Sequence, residues 1–351
     1  MQFKVILALI PIYLILGSCK NDDLEAAKSF AALSKDLAIA NKQISADIYA
    51  SCARAASWEA LGTPESRKIM QDQLDACDHY FRPNSENTEI AGSVLVNYVT
   101  AVGNLATKNE NGFTPKIEQI SETLGNIDIN GRKLDENARQ AGFQIVDFIT
   151  NLLVNDFRRR NLKLAIVCTD QDIQEYSANL SNLIELSYTN DLLNTEIKQI
   201  NEHFGFYIDQ VNRRLTGLPG SKDNPPKDNP QDFNTLQERQ TLLEEQERAE
   251  INKVIKRKKE ASAYVATIRS TADFHSQLKR IFNENRQELS SKQIQKCKKY
   301  RSNNESQNVQ STNIQNDSWN QEITTSELKE AKKATKKYID KVTPLVDEIQ
   351  D

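Results

Sequence analysis

The sequence predicts an all-α fold, an elongated antiparallel helical bundle with a long coiled-coil-like helical hairpin. Three observations lead there. Gly and Pro number only 11 and 9 in 351 residues, too few to punctuate the many turns that a sheet protein needs. Apolar residues recur at spacings near three, four and seven through most of the chain, the period of a helix with one buried face. From Leu236 to Lys299 neither breaker occurs at all. Hydrophobic residues make up 38% and charged residues 27%, a balance that suits a packed core under a solvated surface. The formal net charge of −4 argues against a general nucleic-acid binder, whose attraction to phosphate needs a basic surplus.

Residues 1–18 read as a leader. Met1 to Lys4 carries one positive charge, and Val5 to Leu16 follows as an uncharged, mostly apolar run. A helix that spans a membrane needs roughly 20 apolar residues, so this shorter run fits the central segment of a secretory signal peptide. Next comes Leu16-Gly17-Ser18-Cys19, which resembles the lipobox of bacterial lipoproteins. The resemblance implies a diacylglyceryl group on the Cys19 thiol, cleavage just before it, and a mature chain tethered to a membrane of the cell envelope, periplasmic or surface-facing. Two or three acyl chains hold such an anchor stably, since each buried CH₂ contributes roughly 0.8 kcal/mol. Lys20 stands where some sorting rules place an inner-membrane retention Asp, which leans toward the outer membrane. This resemblance covers the leader alone and fixes an address, not a role.

Beyond the leader the sequence divides into a helical bundle over 19–216, a Pro-rich linker over 217–233, a long coiled-coil-like helix over 234–300, a polar disordered tract over 301–325 and a charged C-terminal helix over 326–351. Asn21 to Leu61 is one long helix without Pro or Gly. Thr63 then caps a second, with Pro64 at its first position, which stops at Arg82-Pro83-Asn84. Thr88 to Thr107 forms a strongly apolar third helix suited to a bundle interior. Asn109 to Gly131 is broken by four Gly or Pro residues and reads as loop, short helix from Pro115 to Leu124, and loop. The helical pattern resumes from Lys133 to about Arg160. Asn161 to Cys168 fits strand or helix, with its helical neighbours favouring helix, and Asp170 to Leu215 is another long helix.

Gly217 to Phe233 contains five Gly or Pro residues beyond its first position and can neither continue a helix nor join a sheet. In the following segment Val254, Ala261, Ile268, His275, Phe282 and Leu289 recur every seven residues, like a coiled-coil seam of mixed quality. Its partner in the hairpin is Asp170–Leu215, and charge supports the pairing. Leu236 to Arg301 holds 16 Lys and Arg against 9 Asp and Glu, whereas Cys168 to Phe233 holds 5 against 11. Opposite charge attracts the two helices and repels copies of each. Arg301 to Gln321 is polar and Ser, Asn and Gln-rich, and Ser326 caps the last helix, which carries Lys332, Lys333, Lys336 and Lys337.

Setting Cys19 aside leaves Cys52, Cys77, Cys168 and Cys297, an even number that suggests disulfides in an exported protein, with three pairings open. Folding back about Gly62-Thr63-Pro64 brings Cys77 within about one helical turn of Cys52. That favours Cys52–Cys77, with Cys168–Cys297 following by elimination; four buried free thiols are the alternative.

Candidate chemistry is thin. The three histidines, His79, His203 and His275, lie in different helices, outside any H-E-x-x-H or Glu-x-x-His pattern. Asp75 and His79 share a helix face and read as a surface ion pair rather than two metal ligands. His275 reads as a core or register residue of the seam. Nucleophile elbows, phosphate-cradling loops and dinucleotide fingerprints are absent, so the sequence points to no catalytic residue, no metal and no cofactor. Basic clusters remain: Arg158-Arg159-Arg160, Lys256-Arg257-Lys258-Lys259, and Lys296 to Arg301. They suit anionic lipid headgroups or acidic polymers; solvated faces opposite acidic neighbours explain them better. Arg158–Arg160 also falls near an expected helix C-terminus, where the dipole favours cations. The reading that results is a lipid-anchored, non-enzymatic scaffold or interaction protein with an envelope protein as partner. A helical ligand-binding lipoprotein is the alternative, and an envelope enzyme comes third.

Overall fold

The computed structural model describes residues 34–59, 62–107, 117–153, 158–217, 230–283, 289–301 and 323–350. These residues are helical almost throughout and contain no strand, only an isolated antiparallel bridge between Ile129 and Arg132. The elements are α1 (Ser34–Ser57), α2 (Pro64–Ala76), a first π segment (Cys77–Phe81), α3 (Arg82–Thr107), α4 (Ile117–Asn126) and α5 (Glu136–Leu153). There follow α6 (Arg158–Leu183), a second π segment (Ile184–Leu192), α7 (Leu193–Gly217), α8 (Pro230–Phe282), α9 (Ser291–Arg301) and α10 (Thr325–Gln350). The leader, Cys19 and the start of the first expected helix lie outside the described residues, as do most of the Pro-rich linker and of the polar tract.

The turn into α2 forms as its residues dictate. Gly62 adopts φ +82°, and Thr63 accepts a hydrogen bond from the Ser66 amide while the Ser66 hydroxyl receives the Thr63 amide. Pro64 at the first helical position has no amide hydrogen to leave unsatisfied.

The expected stop at Arg82-Pro83-Asn84 does not occur. The helix passes through it, because the chain widens to π geometry just upstream and the Arg82 amide reaches back five residues to the Cys77 carbonyl. Pro83 lacks an amide hydrogen, and in a regular helix its ring crowds the carbonyl four residues earlier. The wider turn relieves that crowding, and the Asn84 side chain donates to the Tyr80 carbonyl at 2.8 Å.

Other boundaries shift for local reasons. The helix expected from Asp170 begins at Arg158, so the ambiguous Asn161–Cys168 stretch is helical, and helix continues through the second π segment to Gly217. Arg158–Arg160 therefore form a first turn rather than a last one, on the side of the dipole that disfavours cations. The long segment from Leu236 is not one helix to Lys299: α8 ends at Phe282, and α9 restarts with a box in which the Ser290 hydroxyl accepts the Gln293 amide while the Gln293 side chain accepts the Ser290 amide. The cap of α10 is Thr324, paired reciprocally with Glu327, in place of Ser326.

The hairpin pairing forms. Along α6, the second π segment and α7, contacts climb as those on α8 descend: Gln174 to Ala272, Glu185 to Arg269, Asn194 to Lys258. The two runs are therefore antiparallel, and opposite charges meet, with Arg269 on Glu185 at 2.5 Å and Lys279 on Asp170 at 3.1 Å. The seam residues Val254, Ala261, Ile268, His275 and Phe282 are buried, and Leu289 packs against them. They face a bundle rather than a single partner, because α10 covers α8 as well, with Phe274 stacked on Tyr338 and Thr271 bonded to the same tyrosine.

One core joins Ile44 and Ile48 of α1, Val94 of α3, Phe148 of α5, Tyr176 of α6, Ile268 of α8 and Val342 of α10. Gly92 is needed where α3 meets its neighbours: a Cβ there would overlap the Asn41 side chain and come within 2.7 Å of the Tyr264 hydroxyl. That hydroxyl donates to Asn41 Oδ1, and Asn41 Nδ2 donates to the Glu89 carbonyl.

Candidate functional site

The cysteines come first. Cys52 of α1 bonds Cys77, the opening residue of the first π segment, with Cα atoms 5.8 Å apart; Cys168 of α6 bonds Cys297 of α9, with Cα atoms 5.4 Å apart. Both favoured pairings form. The first closes the α1–α2 fold-back, and the second fastens α9 to the bundle.

The basic residues are dispersed. Lys256 pairs with Glu260, Lys258 donates to Asn194, and Lys259 borders an open groove beside Ile255, Leu345 and Glu348. Arg257 turns inward. The Arg158–Arg160 backbone opens α6, whose later residues meet the far end of α8 through Asp170 and Lys279. Residues 257 and 279 of α8 are separated by roughly 33 Å of helix axis, so the two clusters do not form one patch. Among the described residues no group of three or more His, Cys, Asp and Glu is arranged to hold a metal ion. The expected Asp75–His79 pair is absent; Asp75 accepts from Gln71 instead.

Two polar clusters inside the bundle were not expected. The first centres on Glu196 of α7, whose side chain is 1% exposed. Its carboxylate accepts from Arg54 Nε at 2.8 Å, from Arg257 at 2.6 Å and from the Ser51 hydroxyl at 2.9 Å. Asp47 adds a second carboxylate on Arg54 and accepts from the Tyr188 hydroxyl at 2.5 Å. Burial would weaken the Arg54 charge, but its bonds to Asp47 and Glu196 outweigh that and push its pKa up. Burial, with Asp47 alongside, likewise pushes the Tyr188 hydroxyl up, so it remains a donor.

The second cluster runs Tyr98–His275–Asp170. Tyr98 bonds His275 Nε2, His275 Nδ1 lies 2.9 Å from Asp170 Oδ1, and Lys279, Ser276 and Gln174 also bond the carboxylate. Burial pushes the Asp170 carboxyl up, but the hydrogen bond and charge of His275, with Lys279, overcome it and hold the pKa at about 2. A carboxyl that titrates lower folded than unfolded stabilises fully above the ordinary carboxylate range and loses that contribution as pH falls from about 4 to about 2. Asp170→Asn should therefore cost about 2 kcal/mol at pH 7 in urea unfolding, with the gap to wild type closing below pH 4. A gap that stays constant with pH would contradict it. His275 is fully buried, so this chain of groups sets core register rather than meeting a substrate.

Sequence reasoning placed His275 in the seam and missed both clusters' partners. The signal for Glu196 was slight: a lone carboxylate beside Ile197 and Ile200 on an otherwise apolar face. Comparison of the chain with protein-family models, curated proteins and solved structures finds no match.

Proposed function

We propose that the protein is a membrane-anchored helical lipoprotein of the bacterial cell envelope, acting as a non-enzymatic scaffold or interaction protein. The observation that carries this reading is the cysteine pattern. Four of the five cysteines form two disulfides, bonds that persist in oxidising compartments and are rare in the cytosol. The fifth is Cys19, in the Leu16-Gly17-Ser18-Cys19 segment that resembles a lipobox. Export and acylation at that position are thus supported by two separate features of the chain, a leader and a pair of staples. Among the described residues no helix is long and apolar enough to cross a membrane, which suits attachment through lipid.

A shared core and a largely self-paired surface support the scaffold role. Long helices share one core, and Lys256, Arg257 and Lys258 are engaged within the chain itself. That leaves a mixed-charge surface suited to an envelope protein partner. Fatty-acid labelling of cells expressing the full chain should mark the wild type and place it in the membrane fraction. Cys19→Ala should carry no label and leave that fraction. Equal labelling of both, or of neither, would overturn the anchor.

A further inference from the structure

A cavity of about 270 Å³ lies between α1, the first π segment and α7, against the Cys52–Cys77 disulfide. We infer that it is a binding site for a small uncharged ligand, an apolar body of about ten non-hydrogen atoms bearing one hydrogen-bonding group. This inference is independent of acylation at Cys19.

Both π segments meet at this one place. Cys77 and Phe81, the first and last residues of the first π segment, line the cavity, as does Leu192, the last residue of the second. Asn130, also in the lining, has φ +54° in the two-residue Asn130-Gly131 turn that the Ile129–Arg132 bridge closes. The π segments are energetically less favourable than regular helix, and such features gather at functional sites. They come from segments far apart in sequence, and while Pro83 accounts locally for the first, no proline lies near the second.

The lining sets the ligand's chemistry. Buried Ala56, Cys77 and Leu192 make an apolar floor, with Phe81 beside them, while exposed Ala76, Asn130 and Thr195 form the rim. No Asp, Glu, Lys, Arg or His is among the described lining residues, so a charged ligand would lose hydration with nothing to replace it. The side-chain amides of Gln73, Asn130 and Gln199 can each donate or accept one bond. An apolar cavity of about 150 Å³ accommodates benzene, which scales to about ten non-hydrogen atoms here. A partner's helix or strand is too large for that space, so a small molecule fits it better than a docked protein element.

Indole is a suitable probe: nine ring atoms with one N–H donor and no charge. Calorimetric titration of the purified protein, both disulfides intact, should show one saturable site with Kd below about 1 mM. Thr195→Trp and Ala76→Trp, each at an exposed rim position, should weaken binding at least tenfold while leaving the thermal midpoint of the unliganded protein nearly unchanged. Indole-3-acetate, the same body with a carboxylate, should bind at least tenfold more weakly than indole. Absence of saturable binding overturns the site; so does indole affinity retained by both tryptophan variants, or equal affinity for the anionic analogue.

Discussion

Replacing both Cys168 and Cys297 by Ser should destabilise the protein by about 4–5 kcal/mol, more than removing the other disulfide. The bond joins residues 129 positions apart, against 25 for Cys52–Cys77. Chain-entropy scaling assigns about 5 kcal/mol to a closed loop of the larger size and about 3.5 kcal/mol to the smaller. Removing both sulfurs together avoids stray thiols. A second effect adds to the first: α9 is short, packs mainly on α5 and α6, and owes its place to Cys297 and the Gln293–Asn283 hydrogen bond. Urea unfolding of the two double variants gives the order, and amide exchange over Ser291–Arg301 should speed up in the Cys168→Ser/Cys297→Ser variant alone. The reverse order of stabilities would mean that the unfolded chain is not the main seat of the constraint.

Glu196→Ala should cost about 3–5 kcal/mol, a magnitude expected when one partner of a buried ion pair is removed. The carboxylate is the meeting point of two guanidinium groups and one hydroxyl. Without it, Arg257 keeps only a 3.7 Å contact with Asp47, and its side chain is 19% exposed. The remaining penalty is that of an inadequately paired cation held in the bundle. Combining Glu196→Leu with Arg257→Met removes both charges and restores apolar packing, while Arg54 retains Asp47. That pair of substitutions should lose less stability than Glu196→Leu alone, a non-additivity that urea midpoints resolve. Additive losses would show that packing, not charge, sets the cost.

Much of this architecture was legible because it is local. The seven-residue seam, the Thr63-Pro64 start, the fold-back that joins Cys52 to Cys77 and the opposite charges of the hairpin each depend on neighbours in sequence or on one simple turn. The errors fell where a local rule was outweighed. Pro83 reads as a stop, yet a single widened turn beginning at Cys77 lets the helix pass. The unbroken stretch after Leu236 reads as one helix, yet the Ser290–Gln293 box begins α9 anew and the Cys168–Cys297 bond holds it on the bundle. Arg158–Arg160 changed ends because no Gly or Pro stands between α5 and α6 to divide the pattern.

The interior polar groups were illegible for a different reason. Glu196 meets Arg54 and Arg257 across 142 and 61 residues, and His275 meets Asp170 across 105. No spacing rule connects positions that far apart. The cavity is a negative shape bounded by four separate stretches of chain, so its presence depends on how the helices sit, not on any one motif.

The intact mass of the protein extracted from bacterial membranes, expressed with its own leader and kept unreduced, tests the lipoprotein reading most directly. The expected species starts at Cys19, carries a diacylglyceryl group there, and lacks four hydrogens because of its two disulfides. A chain that starts elsewhere, or starts at Cys19 with an unmodified thiol, would contradict membrane attachment through lipid.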